Sequence, residues 1–219
     1  MRASRLPIAR IAGVLGAAAV AGAVTLANRV GWIGLSSIAA SPGAVAKGKV
    51  WLLVTSGVIA DRPWVASLLG FVIVAFAVLA VAPVRVAVTA AIAGHVLATI
   101  IVYGALGVAR ALDRDAFAPL VHTPDFGLSA IIAAWIGVVS QRLWRRYRSP
   151  RARVLNALGC VGCALIGFAF RPDVTALDSE HIVAFALGAA IAAWWPVHAG
   201  GDAAHDVDRE LAELLHRRV

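Results

Sequence analysis

The chain alternates long apolar runs with short polar connections, and the runs have the length of membrane-spanning helices. Six such runs cover residues 8–27, 64–82, 86–109, 126–140, 154–170 and 181–197. A helix of about 20 residues rises about 30 Å, the thickness of a bilayer's hydrocarbon core. The first run also resembles a signal peptide, but it has span length, so we expect a spanning helix. The pattern predicts an all-α membrane protein with a six-transmembrane-helix bundle.

The fourth run, residues 126–140, is too short to cross a bilayer as a helix. Fifteen residues rise only about 22 Å, so one end is expected to begin inside the hydrocarbon core. The chain enters this run through Thr123-Pro124-Asp125, and non-helical backbone at that depth needs protein or water around it. Ser129 lies at this end. We therefore predict a short fourth helix that carries a hydroxyl beside a water-filled cavity.

Polar segments divide the chain into a membrane domain and a tail. We expect residues 1–199 to form the membrane domain and residues 200–219 a cytoplasmic amphipathic tail. Apolar residues recur at helical spacing in that tail, which predicts a short surface helix: Val207, Leu211, Leu214 and Leu215. Within the long connection of residues 28–63, residues 49–54 form another amphipathic stretch.

Composition supports a lipid environment. With 61% hydrophobic residues, 15% charged residues and a mean hydropathy of +0.84, the chain carries more apolar surface than a soluble domain can bury. We expect a multi-pass integral protein whose surroundings are the lipid bilayer. The short loops and the absence of an appended soluble domain favour a compact bacterial inner-membrane protein.

The positive charge indicates orientation and not nucleic-acid binding. The formal charge is +8, but the arginines flank apolar runs, and six of them fall within residues 141–153. If the N-terminus is cytoplasmic, thirteen of the 20 Lys and Arg residues lie on the cytoplasmic side. We therefore predict an N-in, C-in topology and no nucleic-acid partner.

No cofactor or metal site is predicted. Cys160 and Cys163 have a Cys-x-x-Cys spacing, but they lie inside the fifth apolar run, and no second Cys/His pair is near them in the sequence. We interpret both as small packing residues.

In the predicted topology, Ser129 and His181 each begin a helix at the outer face. A serine hydroxyl is a weak nucleophile until a base within hydrogen-bond reach accepts its proton, and neutral imidazole can do so near pH 7. Small residues at Gly127, Ala184 and Gly188 are expected to let the two helices approach closely. The sequence thus predicts a Ser/His dyad.

These residues resemble the motifs of the rhomboid family of intramembrane serine proteases. Gly127-Leu128-Ser129-Ala130 is similar to the family's Gly-x-Ser-Gly, and His181 with Ala184 and Gly188 is similar to its histidine followed by small residues. The resemblance, over about residues 49–195, implies a rhomboid-like bundle with Ser129 as nucleophile and His181 as base. It also implies transmembrane protein substrates, cleaved near the outer membrane boundary. The amphipathic first loop is similar too, although the family's Trp-Arg pair reads Trp51-Leu52.

One difference between this chain and the rhomboid family concerns the oxyanion hole. Rhomboids carry a His-x-x-x-Asn on the second helix, and residues 64–82 contain neither His nor Asn. His95, on the third run, is the other histidine at membrane depth and a candidate substitute donor. The first backbone amides of the fourth helix are a second source of donors.

Simpler roles for these residues stay open. Ser129 could bond a carbonyl one turn back, and His181 could be an interfacial residue beside Glu180. His95 could be a packing contact between helices. Asp125 has the position of an N-cap for the fourth helix.

Two function classes therefore remain. One is an active rhomboid-like protease. The other is a catalytically inactive rhomboid-like protein that binds or retains membrane clients. A transporter is less favoured, because none of the six runs has an acidic residue in its interior.

Overall fold

The structure, a computed structural model, describes residues 7–60, 62–146, 149–151, 153–154, 156–158 and 179–195. Over these ranges it is helical, without strands. The main helices are the first long helix Ile8–Arg29, the second Trp64–Val81, the third Val84–Leu112, the serine helix Leu128–Arg146 and the histidine helix Ser179–Trp194. Short helical turns occupy Leu35–Ile38, Pro42–Ala46, Leu52–Thr55, Ser56–Val58, Arg114–Phe117 and Pro119–His122.

Three helices are long and apolar enough to cross a membrane: Ile8–Arg29, Trp64–Val81 and Val84–Leu112. Their outward faces carry exposed aliphatic side chains, among them Leu69 and Ile73. A surface of this kind suits hydrocarbon. Two residues, Ala82 and Pro83, connect the second long helix to the third, as the tight hairpin in the sequence predicts.

The third long helix is not regular. Residues Ala93–Leu97 form a π-helical turn, which inserts one extra residue into the helical repeat. Gly94 in this turn lies against the serine helix so closely that an added Cβ would overlap the Cβ of Ala134. The turn therefore brings His95 close to the start of the serine helix.

The serine helix is longer than predicted. It runs from Leu128 to Arg146, 19 residues, instead of ending at Ser140. The helix continues because its arginines find partners at the far end of the histidine helix. Arg142 is buried and donates from Nη2 to the carbonyl oxygen of Trp195 at 3.3 Å, and Arg145 donates to that of Ala193 at 2.8 Å. The apolar part of the helix is short, but the helix itself is not.

Trp135 fixes the serine helix against its neighbours. Its indole Nε1 donates to the carbonyl oxygen of Ala87 at 2.8 Å, and its ring packs on Phe71 with centroids 5.1 Å apart. These contacts reach the third and second long helices respectively. The serine helix thus has defined partners on two sides.

The serine and histidine helices run in the same direction and pack along a seam of small residues. An added Cβ on Gly188 would overlap the carbonyl oxygen of Ala134, and one on Gly137 would overlap that of Phe185. Ala184 is fully buried in the same seam. The backbones therefore approach to a distance that larger side chains would prevent.

The connection between the first two long helices folds back over the end of the bundle where the serine helix begins. The Asp125 amide donates to the carbonyl oxygen of Ala40 at 2.8 Å in an isolated bridge. Leu52 and Leu53 are buried while Val54 is 67% exposed, as the amphipathic pattern predicts. This connection closes one side of the candidate site.

Several predicted features lie outside the described residues. They include most of the fifth run, with Cys160 and Cys163, and the tail at residues 200–219.

Candidate active site

Ser129 and His181 meet at the start of their two helices. The Oγ atom of Ser129 lies 2.8 Å from Nε2 of His181, and both residues are half-buried. Each residue occupies the first turn of its helix, and the Gly137/Gly188 seam holds these turns side by side. The distance is within the range in which imidazole can accept the hydroxyl proton.

Ser129 has a second contact, with its own backbone. Its Oγ atom lies 3.1 Å from the carbonyl oxygen of Phe126. A hydroxyl has one proton, so it donates either to this carbonyl or to the imidazole. The shorter distance favours the imidazole whenever Nε2 of His181 is unprotonated. The structure therefore contains a partner for Ser129 under both interpretations: His181 for a catalytic serine, and the Phe126 carbonyl for a structural one.

His95 packs against the segment that leads into the serine helix. It is 4% exposed, and its ring fills the space in which a Gly127 side chain would lie. Its Nε2 atom lies 3.2 Å from Oγ of Ser56. Its Nδ1 atom is buried and has no hydrogen-bond partner among the described residues. Gly127 thus makes room for His95 and does not belong to the seam in which the sequence placed it.

Two carboxyl groups lie beside the dyad. Glu180 is 2% exposed, and its Oε1 atom lies 2.6 Å from Oγ1 of Thr99 and 3.9 Å from Nδ1 of His95. The Asp125 carboxyl accepts a hydrogen bond from the Tyr103 hydroxyl at 2.9 Å. The interpretation of Asp125 as an N-cap is wrong, because the helix begins three residues later, at Leu128.

The sequence contains a pattern that indicates this polar cluster, although Thr99 and Tyr103 were not predicted as site residues. His95, Thr99 and Tyr103 recur every four residues on an otherwise apolar helix, so they share one face. Such a stripe in a spanning helix points to polar partners inside the bundle. Those partners are the two carboxyl groups and Ser56.

An oxyanion hole next to Ser129 would need hydrogen-bond donors. The second long helix, Trp64–Val81, supplies no His or Asn side chain. The serine helix begins next to the nucleophile, and the first amides of a helix lack internal partners and carry partial positive charge. The amide of Gly127 is not available, since it donates to the carbonyl oxygen of Ser56 at 2.9 Å. The ring of His95 packs against Gly127, two residues before Ser129.

Within the described ranges, no three or more His, Cys, Asp or Glu residues are arranged to hold a metal ion. No protein-family model, curated protein or solved structure matches this chain.

Proposed function

We propose that the protein is a rhomboid-like intramembrane serine protease that cleaves single-pass membrane proteins near their outer membrane boundary. The observation that carries the proposal is the 2.8 Å contact between Ser129 Oγ and His181 Nε2. The proposal includes the six-helix, N-in and C-in arrangement and a bacterial inner-membrane location.

In the proposed reaction, Nε2 of His181 accepts the Ser129 proton while Oγ attacks the carbonyl carbon of the scissile peptide. The resulting oxyanion accepts hydrogen bonds from the amides at the start of the serine helix and from His95. His181 then donates the proton to the leaving amine, and an acyl-enzyme forms on Ser129. A water molecule, deprotonated by His181, hydrolyses the ester and restores the serine.

The alternative is a catalytically inactive rhomboid-like protein that binds or retains membrane clients. Its support is the second long helix, which has no His or Asn side chain to complete an oxyanion hole. The contact of Ser129 with the Phe126 carbonyl also gives the hydroxyl a purely structural partner. Loss of one oxyanion donor typically reduces the rate by about 10²–10³.

A serine-directed fluorophosphonate probe distinguishes the two functions. We expect the purified protein to be labelled at Ser129, and we expect Ser129→Ala or His181→Ala to abolish labelling and cleavage of a model transmembrane substrate. Ser140→Ala is the matched control, because Ser140 lies on the same helix 11 residues after Ser129, where its Oγ atom accepts a hydrogen bond from Asn156. Equal labelling of wild type and Ser129→Ala would contradict the protease.

A further inference from the structure

Three arginine side chains converge on the end of the histidine helix, at the end of the bundle away from the dyad. The guanidinium of Arg85, in the first turn of the third long helix, lies over the ring of Trp195, 5.3 Å from its centroid. Arg142 and Arg145, from the serine helix, donate to the carbonyl oxygens of residues 195 and 193. We call Arg85, Arg142 and Arg145 the arginine cluster. Its members come from two helices and meet beside a third.

Little negative charge balances the arginine cluster. The carbonyl end of a helix carries only about half of one negative charge, whereas the cluster has three guanidinium groups. The acidic residues that the structure describes lie at the opposite end of the bundle, after the third long helix or at the starts of the serine and histidine helices: Asp113, Asp115, Asp125 and Glu180. Among the described residues, therefore, no carboxylate lies at the end that holds the cluster.

Arg142 shows the missing charge most clearly. Its side chain is 7% exposed, and its Nε and Nη1 atoms are buried without a hydrogen-bond partner in the described part of the chain. Burial of a guanidinium without a counter-charge or a full set of acceptors is costly. Arg85 and Arg145 are exposed, so an anion can reach the cluster through them and lie in the field of Arg142. The cluster therefore suits an anionic ligand.

An exposed apolar stripe leads from the cluster along the third long helix. Val88 and Ile92 follow Arg85 by three and seven residues, so they share its face of the helix. Their exposed fractions are 50% and 60%. A free phosphate would use the arginines alone, whereas a phospholipid would also lay an acyl chain along this stripe. Arginine and tryptophan side chains are also the types that lie at the level of lipid headgroups.

We propose that the arginine cluster binds the phosphate of an anionic phospholipid, whose acyl chain lies along Val88 and Ile92. Arg85 and Arg145 contact the headgroup, and the buried Arg142 adds a fixed positive charge. The bound lipid joins the start of the third long helix to the ends of the serine and histidine helices, so it stabilises their packing. The site does not depend on the proposed protease function, because it includes no residue of the dyad.

The test compares phosphatidylglycerol with phosphatidylcholine as ligands of the purified protein in detergent. Native mass spectrometry measures the lipid that is retained, and Tm measures its effect on stability. We expect phosphatidylglycerol to be retained preferentially and to raise the Tm. Arg85→Gln and Arg145→Gln should each weaken its binding by about fivefold, which is the typical contribution of one basic residue at a membrane surface.

Two controls separate a local lipid site from general attraction. Arg151→Gln removes the same charge from an exposed position in the chain that follows the serine helix. Its binding should stay within about twofold of wild type, since salt screens exposed charges that are not close to the ligand. Sodium phosphate, which has no acyl chain, should neither raise the Tm nor displace phosphatidylglycerol.

Each other outcome overturns the proposal. Equal retention of the two lipids would exclude the site, and equal losses in Arg85→Gln and Arg151→Gln would show a diffuse basic surface instead. An equal rise in Tm with sodium phosphate would show a site for free anions and not for a lipid. The Tm of each variant in phosphatidylcholine verifies that it folds. If Arg145→Gln does not fold, because it also loses the bond to Ala193, Arg85→Gln decides.

Discussion

Gly188 packs directly onto the carbonyl oxygen of Ala134, with no room for a side chain between the two helices. The contact lies two turns below His181, on the helix that carries it, and one to two turns below Ser129 on the other. The separation of the two backbones therefore controls the separation of the two candidate catalytic side chains.

Gly188→Ala should push these helices apart. Overpacking of a close contact typically costs about 1–3 kcal/mol, so we expect a lower Tm in detergent together with slower probe labelling of Ser129. Gly104→Ala is the control, because nothing lies within 4 Å of a Cβ added there. In a helix interior, that change should stabilise the protein by about 0.5–1 kcal/mol. A Gly188→Ala protein as stable and reactive as wild type would show that the seam does not set the dyad.

Gly127→Ala should displace His95, whose ring occupies the position of the new methyl group. If His95 is an oxyanion donor, the labelling rate should fall by about 10²–10³. His95→Ala should lower the rate similarly, and adding Gly127→Ala to it should have little further effect, since the clash is removed. Fully additive losses in the double variant would mean that Gly127 acts independently of His95.

Ser56 provides a second serine next to a histidine and therefore a strict test of the nucleophile. It lies 3.2 Å from His95, but it is 1% exposed and donates to the carbonyl oxygen of Leu52 at 2.7 Å. We expect Ser56→Ala to retain labelling at Ser129, with a moderate decrease in rate because His95 loses a partner. Mass spectrometry of the labelled peptide identifies the modified serine, and modification of Ser56 would reassign the nucleophile.

Apolar periodicity was sufficient to predict the three long helices, whereas the contact of Ser129 with His181 was predicted from the direction of their helices in the six-helix topology. The second helix begins at Trp64 as predicted, and the third follows Pro83 directly. These features depend on local pattern and helix length, which a sequence shows directly. The rhomboid-like function and the complete six-helix topology stay predictions.

The features that sequence analysis missed depend on contacts between distant segments. The serine helix continues to Arg146 because carbonyl groups at the end of another helix accept from its arginines. Glu180 is buried because Thr99, 81 residues earlier, provides a polar partner. Neither partner can be identified from the residues adjacent in sequence, since charge alone would place Arg142 and Glu180 in water.

In the proposed protease, the arginine contacts at the far end of the seam would restrict how a substrate enters. The histidine helix contacts the serine helix at its start through His181 and Ser129, and at its end through Arg142 and Arg145. Sliding or tilting it away from the serine helix would break polar contacts at both ends at once. Lateral entry of a transmembrane substrate must therefore leave this helix pair intact and open the bundle elsewhere. Ser129 and His181 would then stay in contact while the substrate enters.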